Sequence, residues 1–296
     1  MDMRIIGIDI GGTYFRIGTV CDGKKVTRFQ KVPTASVIRS DDVILDMAQF
    51  IQEYIQDTVI DAVVIGFPAT LDRSRRKVMQ APNLEFMEDL PVVDGLGAKL
   101  GIPVLAERDV TMALHYDVDK YGLSTDGVIC GIYFGTGIGN AIMIDGKPLS
   151  GKNGAAGEIG HIPVIGSRLR CGCGNEGCVE NLAAGKYLVR LQQEHYPQTP
   201  VGELFARHRQ EEALREFVDR MAAVVAAEIN ILDPDHMLLG GGVVNMTDFP
   251  RAYLQERIVA RTRKPYPARN LQIIYTEDEP EKSVVGAAIY AGQRVE

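Results

Sequence analysis

A glycine hairpin occurs twice in this chain of 296 residues, and the repeat constrains the fold more than any other feature. The first copy runs from Ile6 through Asp9-Ile-Gly-Gly-Thr13 to the turn Asp22-Gly23. The second runs from Cys130 through Gly135-Thr-Gly137 to Asp145-Gly146, about 124 residues later. Each copy has an apolar strand, a Gly/Thr turn, a second apolar strand and an Asp-Gly turn. The sequence therefore predicts two domains of the same design, facing one ligand.

The glycines of the two hairpins predict a nucleotide phosphate site. Glycine exposes backbone N–H groups, and such groups form concavities that bind anions. Asp9, at a strand end, suits hydrated Mg²⁺. The P-loop pattern is absent, because these glycines join two strands, and a tight hairpin with a solvated aspartate stays the alternative. The predicted ATP-binding residues of the hairpins are Asp9, Gly11, Gly12, Thr13, Gly135, Thr136, Gly137 and Gly139.

A third glycine run, Gly240-Gly241-Gly242, follows the predicted strand His236–Leu239 and precedes a predicted helix. Bare backbone at this point lets a base or a ribose approach closely. Such turns are common in α/β proteins, so the run gains weight only beside the two hairpins. We expect it to contact the adenosine.

Composition excludes several classes of partner. Hydrophobic residues make up 46% and charged residues 24%, as in an ordinary soluble protein, and the net charge is −7. The densest basic run, Arg73–Lys77, is expected to be a solvated hairpin tip. Nucleic acid and anionic membranes are therefore disfavoured as partners. Without a leader or an apolar run of transmembrane length, we expect a cytoplasmic protein.

The remaining pattern predicts an alternation of strands and helices. The predicted strands are Ile5–Ile10, Phe15–Cys21, Val26–Val32, Ala62–Phe67, 103–106, His236–Leu239 and Leu271–Tyr275, with a hairpin at Gly127–Asp145. Helices are predicted after Ser40, after Asp109, at Glu180–Gln193, at Ala213–Leu232, after Asp248 and from Glu281. We place the domains at 1–115 and 116–281, with the last helix, about 282–296, packing back on the first.

Three of the five cysteines lie close together in the sequence. Cys171, Cys173 and Cys178 cluster among glycines, whereas Cys21 and Cys130 are isolated in apolar strands and are predicted to be inert. Zinc takes four nitrogen or sulfur ligands, and His161, ten residues upstream, is the candidate for the fourth. The spacing predicts a closed structural zinc site, with chance clustering of reduced cysteines as the alternative.

Four motifs together resemble one family. Asp9–Thr13, Gly157-Glu-Ile-Gly-His161, Cys171–Glu180 and Leu239–Gly242 are similar to those of the ROK family of bacterial sugar kinases, in the actin/hexokinase-like ATPase superfamily. The similarity spans essentially the whole chain. It implies an α/β fold of two actin/hexokinase-like (RNase H-like) domains facing a central cleft, with a zinc-binding loop, 161–180, in the second. It also implies ATP, Mg²⁺ and structural zinc, transfer of the γ-phosphate to a sugar 6-hydroxyl, and a homodimer.

The resemblance also implies roles for individual residues. The implied sugar contacts are Asn83, Asp109, Glu158, His161 and Glu180, with Arg108 beside them. Phosphoryl transfer to an alcohol needs a carboxylate to accept the hydroxyl proton, and the family places this base at Asp109. From the residues alone, an N-cap role for Asp109 is equally good. His161 would serve twice, with one ring nitrogen on zinc and the other toward the sugar.

Two positions depart from the family pattern. Arg108 stands where the family usually has asparagine, and Tyr14 stands where it commonly has lysine. Arg16 is either another source of charge at the phosphate or a residue on the strand surface. A longer, cationic side chain at 108 is expected to alter which sugar is accepted.

Further stretches point to one branch of the family. The stretches Gly66–Ala69, Ala81–Leu84, Glu107–Val110 and Asn230–Asp235 are similar to those of the allose kinases, so D-allose is the expected sugar. Glucokinase and N-acylmannosamine kinase activities are the alternatives. A sugar-sensing repressor is a further alternative, disfavoured because its DNA-binding module has no expected place before Asp9.

Overall fold

Each glycine hairpin forms the first two strands of its own five-stranded sheet in the computed structural model, which describes residues 3–294. Along the chain the strands are β1 (Arg4–Ile10), β2 (Tyr14–Cys21), β3 (Lys25–Pro33), β4 (Ala62–Phe67), β5 (Thr70–Leu71), β6 (Val78–Gln80), β7 (Val104–Arg108), β8 (Val128–Phe134), β9 (Ile138–Ile144), β10 (Lys147–Pro148), β11 (His236–Gly240) and β12 (Ile273–Tyr275). The helices are α1 (Thr34–Val37), α2 (Val43–Ile55), α3 (Val92–Leu100), α4 (Asp109–Lys120), α5 (Glu180–Ala183), α6 (Gly185–His195), α7 (Leu204–His208), α8 (Glu212–Leu232), α9 (Arg251–Arg261) and α10 (Lys282–Gly292).

The two large sheets have the same topology. The first has the order β3-β2-β1-β4-β7, and the second has the order β10-β9-β8-β11-β12. In each, an antiparallel hairpin leads into two strands that run parallel to its first strand. The hairpin repeat in the sequence therefore corresponds to a duplicated sheet, and the predicted α/β class is confirmed.

Strand β1 shows how the first sheet divides its two faces. Ile6, Ile8 and Ile10 are buried in the larger core cluster, whereas Ile5 packs with residues of α10 on the opposite face. A Cβ added at Gly7, on the α10 face, would lie 2.4 Å from the backbone oxygen of Val284. The absence of a side chain at Gly7 thus lets α10 lie directly on the strand.

The chain contains two compact units, and each is built from segments that are not contiguous in the sequence. The first contains the residues up to Ser124, the segment Ser150–Ala156 and the residues from Glu279. The second contains Thr125–Leu149 and Gly157–Asp278. The boundary placed at 115 falls inside α4, which is one continuous helix to Lys120.

One predicted helix is corrected by tertiary contacts. The helix predicted over Glu180–Gln193 is divided into α5 and α6 at Ala184, whose backbone is extended. There the N–H groups of Gly185 and Lys186 donate to the carbonyls of Gly135 and Thr136 instead of continuing a helix. The helix predicted after Asp248 begins at Arg251, and a series of turns separates it from the Gly240–Gly242 run.

The basic run Arg73–Lys77 does form the tip of a hairpin, between β5 and β6, but it is not uniformly solvated. Arg75 is 8% exposed, and its guanidinium makes an ion pair with Glu107. Composition does not show which of the four basic residues in this run is buried with a partner, since surface and buried arginines have the same local sequence pattern.

Helix α8 places a carboxyl group in the core of the second unit. Glu228 is 3% exposed and accepts a hydrogen bond from Asn140 Nδ2 at 2.8 Å. Burial raises the pKa of Glu228 to about 7, although the hydrogen bonds from Asn140 and Cys130 lower it. The protonated and ionised forms of this carboxyl group are therefore about equally populated at neutral pH. Among residues 3–294, no helix combines the length and apolar character needed to cross a bilayer.

We expect Glu228→Gln to stabilise the protein at high pH. The folded-state pKa of about 7 lies above the unfolded value of about 4.3, so Glu228 stabilises the fold below about pH 4.3 and loses this contribution as the pH rises to about 7. At pH 8 the substitution should raise the free energy of unfolding by about 3 kcal/mol, and near pH 4.5 by less than about 1 kcal/mol. Urea unfolding at both pH values measures this.

The control for this prediction is Glu216→Gln, which changes an exposed glutamate on the same helix. It should leave the pH dependence of the wild-type protein intact. The prediction is wrong if both variants shift stability equally at pH 8, or if Glu228→Gln retains the wild-type slope between about pH 4.5 and 7.

Candidate active site

The first hairpin places an aspartate at the carboxyl edge of the first sheet. Asp9 is the next-to-last residue of β1 and lies opposite Arg16 of β2, whose Nη1 is 2.8 Å from Asp9 Oδ2. The turn itself is closed by the Gly11 N–H, which donates to the Tyr14 carbonyl at 2.8 Å. Arg16, for which the sequence left two roles open, thus orients the carboxylate predicted to hold Mg²⁺.

Gly12 brings a second predicted site residue to this hairpin. A Cβ added at Gly12 would lie 3.1 Å from the backbone oxygen of Asn83 and 3.7 Å from its Cβ, so the hairpin tip packs against the segment that carries Asn83. Thr34 also binds the turn of this hairpin: its N–H donates to the carbonyl of Thr13, and its hydroxyl donates to the carbonyl of Gly11. Predicted phosphate and sugar residues are therefore neighbours within the first unit.

Asp109 is the first residue of α4 and directly follows β7. Arg108, whose backbone is extended, occupies the N-cap position, so Asp109 is the first helical residue and not the N-cap. Its Oδ1 accepts the Val110 N–H at 2.7 Å. Strands β1, β4 and β7 are parallel, so Asp9 near the end of β1 and Asp109 directly after β7 lie at the same edge of the sheet, separated by two strand spacings of about 5 Å each. At the start of a helix, the helix dipole favours the ionised form of a carboxylate.

Arg108 is 8% exposed, and its Nη1 donates to the carbonyl of Ala156 at 2.7 Å. This guanidinium therefore binds the segment Ser150–Ala156 of the same unit.

The second hairpin is built around a predicted sugar ligand. Glu180 Oε2 accepts the Ile138 N–H at 2.9 Å, and Lys186 Nζ lies 2.7 Å from Glu180 Oε1. A Cβ added at Gly137 would lie 2.5 Å from Glu180 Oε2, so only glycine allows this approach. The carboxylate is fixed against the turn that is predicted to bind phosphate.

Lys186 was not predicted, although it lies in Ala-Ala-Gly-Lys, directly at the start of α6 and six residues after Glu180. Its own N–H donates to the Thr136 carbonyl, so the lysine is fixed to the hairpin by backbone as well as side chain. A lysine in the first turn of a helix, opposite the usual preference for acids there, is the signal that indicates it.

The glycine run 240–242 lies beside the second hairpin. A Cβ added at Gly241, which has a φ of +89°, would lie 2.6 Å from the backbone oxygen of Phe134. That oxygen also accepts the Val243 N–H at 2.9 Å, and Asn245 Nδ2 ties the turn to Thr276 at 3.0 Å. Phe134 directly precedes Gly135, so two of the three predicted nucleotide segments meet within the second unit.

The predicted metal ligands converge. One donor atom from each of His161, Cys171, Cys173 and Cys178 lies within 4.8 Å of the other three. His161 Nδ1 lies 3.6 Å from Cys171 Sγ, and Cys173 Sγ lies 3.6 Å from Cys178 Sγ. Tetrahedral zinc, with bonds of about 2.0–2.3 Å, requires its donors to be about 3.5–3.8 Å apart. The donor set and its spacing fit this ion.

Glu158 lies on the other side of the same imidazole. The turn Ile159–His161 is a single 3-10 turn, and His161 Nε2 is 3.6 Å from Glu158 Oε2. The ring therefore presents Nδ1 to the cysteines and Nε2 to the carboxylate. This arrangement is compatible with the double role implied for His161.

The comparison with known proteins decides the family. A model of the ROK family matches residues 5–294. The chain belongs to the ROK family. The family resemblance drawn from four short motifs is thereby confirmed.

Named relatives cover almost the whole length of this ROK protein. It is 26% identical over 316 residues to the glucokinase of Thermotoga maritima, with 99% of this chain and 98% of the relative covered. It is 29% identical over 259 residues to the N-acetyl-D-glucosamine kinase of Pectobacterium carotovorum, with 82% and 84% covered.

Solved structures share the fold. A ROK family glucokinase from Streptomyces griseus, in complex with glucose and AMPPNP, has a TM-score of 0.79 at 26% identity, with 98% of this chain and 99% of that chain covered. A ROK family transcriptional regulator has a TM-score of 0.83 at 20% identity, with 98% and 78% covered, and shows the fold alone. The predicted two-domain α/β architecture is thus that of the family.

Proposed function

We propose that this ROK protein is an ATP-dependent hexose kinase that transfers the γ-phosphate to the sugar 6-hydroxyl. The observation that carries the proposal is the position of Asp109, which begins α4 at the sheet edge of the Asp9 hairpin without serving as a helix cap. The names of the relatives, a glucokinase and an N-acetyl-D-glucosamine kinase, support a sugar kinase. A pure sensor of the same fold would not need a carboxylate at this point.

The proposed reaction uses Asp109 as the general base. Its carboxylate accepts the proton of the 6-hydroxyl as the oxygen attacks the γ-phosphorus, and the bond from this phosphorus to the leaving ADP breaks. Mg²⁺, when bound with ATP, neutralises the phosphate charge, and Asp9 is the residue that would hold it through water. Arg16, 2.8 Å from Asp9, fixes the orientation of that carboxylate.

Backbone N–H groups of the Gly11–Thr13 and Gly135–Gly137 turns are proposed to bind the phosphates, and the Gly240–Gly242 run is proposed to accommodate the adenosine. Asn83, Glu158, His161 and Glu180 are proposed as sugar ligands. The contacts of Glu180 with Ile138 and Lys186 support this role, because they pre-set the carboxylate in one orientation.

We propose structural zinc at His161, Cys171, Cys173 and Cys178, on the strength of the donor spacing. Four protein ligands leave no open position on the ion, so its role is to order the loop that carries Glu180 and Glu158. ATP is the phosphate donor, so we expect a cytoplasmic protein. The homodimer implied by the family resemblance stays a prediction.

D-Allose or a related aldohexose is the sugar we propose. The basis is Arg108, which replaces the asparagine usual in the family, together with the stretches similar to allose kinases. Glucose, N-acetyl-D-glucosamine and N-acylmannosamine are the rival acceptors.

ADP release with Mg²⁺ and a panel of sugars tests the function and the specificity together. The panel contains allose, glucose, mannose, N-acetylmannosamine, N-acetylglucosamine and fructose. We expect one aldohexose to have the highest kcat/KM, with allose above glucose. A preference for glucose would retain the kinase and reject the role of Arg108 in specificity. No turnover with any sugar would reject the kinase.

We expect Asp109→Asn to lower kcat by about 10²- to 10⁴-fold, because the amide cannot accept the hydroxyl proton. The KM for the sugar should change little, since the amide retains the size and one acceptor oxygen. Steady-state kinetics on the preferred sugar measures both constants. Asp94→Asn, which changes an exposed aspartate in the first turn of α3, is the matched control. Near-wild-type kcat in Asp109→Asn would show that another group is the base.

Removal of the metal should destabilise the second unit. We expect one zinc per chain by elemental analysis, and near-complete loss of zinc with a fall in Tm of about 5 °C or more in Cys171→Ser. Cys21→Ser, outside the cluster, is the control and should retain the metal. A metal-free wild-type protein with the Tm of the zinc-treated protein would contradict the zinc site.

A further inference from the structure

Arg75 joins three segments of the first unit, although it lies in a run of basic residues at a hairpin tip. It is 8% exposed, whereas Arg73 of the same run is exposed and Arg76 pairs with Asp94 at the surface. A guanidinium carries five N–H donors in a planar fork, so one arginine can bind several acceptors in fixed directions. The contacts of Arg75 use three of its nitrogens.

The first contact leads to the residue before Arg108 and Asp109. Arg75 Nε lies 3.0 Å from Oε1 of Glu107, which has an exposed fraction of 0%. The same Glu107 oxygen accepts the Arg108 N–H at 2.9 Å. A buried carboxylate without its cation is unfavourable, so Arg75 determines where this strand end can lie.

The other contacts lead to the segment Ser150–Ala156. Arg75 Nη1 donates to the Gly154 carbonyl at 2.8 Å, and Nη2 donates to Ser150 Oγ at 3.2 Å. Gly154, with a φ of +77°, lies so close that an added Cβ would be 2.3 Å from the Leu71 carbonyl. The segment is therefore seated directly on the hairpin β5–β6.

Arg108 closes the set of contacts into a ring. Its Nη1 donates to the carbonyl of Ala156, the last residue of the same segment. The ring runs from Arg75 to Glu107, to Arg108, to Ala156, and back through Gly154 to Arg75. It includes the backbone of the strand end that directly precedes Asp109, the proposed base.

We propose that Arg75 is a positioning residue for sugar phosphorylation. Arg75 holds the strand end before Asp109 and the segment Ser150–Ala156 in a fixed position relative to each other. This inference rests on the proposed function of Asp109. Arg75 acts through Glu107 and the backbone, without touching the sugar. A displacement of a reacting group by about 1 Å lowers a rate by about 100-fold. Loosening this ring of contacts is therefore expected to slow the transfer of phosphate to the sugar hydroxyl.

The test compares Arg75→Lys with Arg73→Lys in the full-length protein. Lysine keeps the positive charge beside Glu107 but presents a single ammonium group in place of the fork. We expect Arg75→Lys to lower kcat/KM for the preferred sugar by about 100-fold, with the KM for ATP unchanged. Hydrogen exchange should increase in peptides covering 107–112 and 150–156, and in both respects Arg73→Lys should match the wild type.

A second variant addresses folding. If Arg75→Lys does not fold, the double variant Arg75→Met/Glu107→Gln removes the buried charges together and gives the same kinetic and exchange comparison. Wild-type kinetics in a folded Arg75 variant would overturn the proposal, whatever its Tm. A rise in the KM for ATP as large as the loss in kcat/KM for the sugar would overturn it as well, because it indicates a general structural role.

The exchange measurement separates this inference from the proposed function. If Asp109→Asn is fully active, or if the wild type phosphorylates no sugar, the proposed function fails. Exchange that is unchanged at 107–112 and 150–156 in the Arg75 variant shows, independently of activity, that the ring does not hold these segments. Increased exchange at both segments with wild-type exchange in Arg73→Lys supports it.

Discussion

Close backbone approach at glycine is the steric constraint on which both units depend. An added Cβ would lie 2.4 Å from a backbone oxygen at Gly7, 2.6 Å at Gly241, and 2.5 Å from the Glu180 carboxylate at Gly137. A side chain would displace packed backbone at Gly7 and Gly241 and the Glu180 carboxylate at Gly137, and interiors at native density have no room for it. Glycine also exposes backbone N–H groups at the two hairpin turns, and Gly137, which allows the approach of Glu180, belongs to one of the proposed phosphate sites.

Duplication of one sheet provides two similar edges, and each has different side chains. The edge of the first sheet carries Asp9 with its partner Arg16, and Asp109 at the start of α4. At the second hairpin lie Glu180 and Lys186, and the Cys/His cluster belongs to the same unit. Identical strand order thus fixes where functional groups can project, whereas the loops after the strands decide which groups project there.

Two ion pairs in the first unit are buried, although removing their charges from water costs free energy. Glu107 pairs with Arg75, and Asp117 of α4 pairs with Lys282 of α10 at 2.7 Å, with all four side chains less than 10% exposed. Removing charges from water costs free energy that the ion pair itself recovers only with good geometry. Each pair joins segments that are distant in the chain, so we interpret them as contacts that select one packing of these segments.

The sequence by itself determined the longer strands of the two large sheets, the hairpin repeat, the family and the metal cluster. These depend on local patterns: alternation and apolar runs at Ile5–Ile10 and Ala62–Phe67, and fixed spacing at Cys171–Cys178. Only the tertiary structure decided the division of the predicted helix at Ala184, the burial of Arg75 and the pairing of Lys186 with Glu180. Arg75 and the backbone after Ala184 have partners far away in the sequence, and these long-range contacts outweigh a local preference worth less than about 1 kcal/mol. Glu180 and Lys186 are only six residues apart, but they lie on different helices because the contacts of Gly185 and Lys186 with the second hairpin separate α5 from α6.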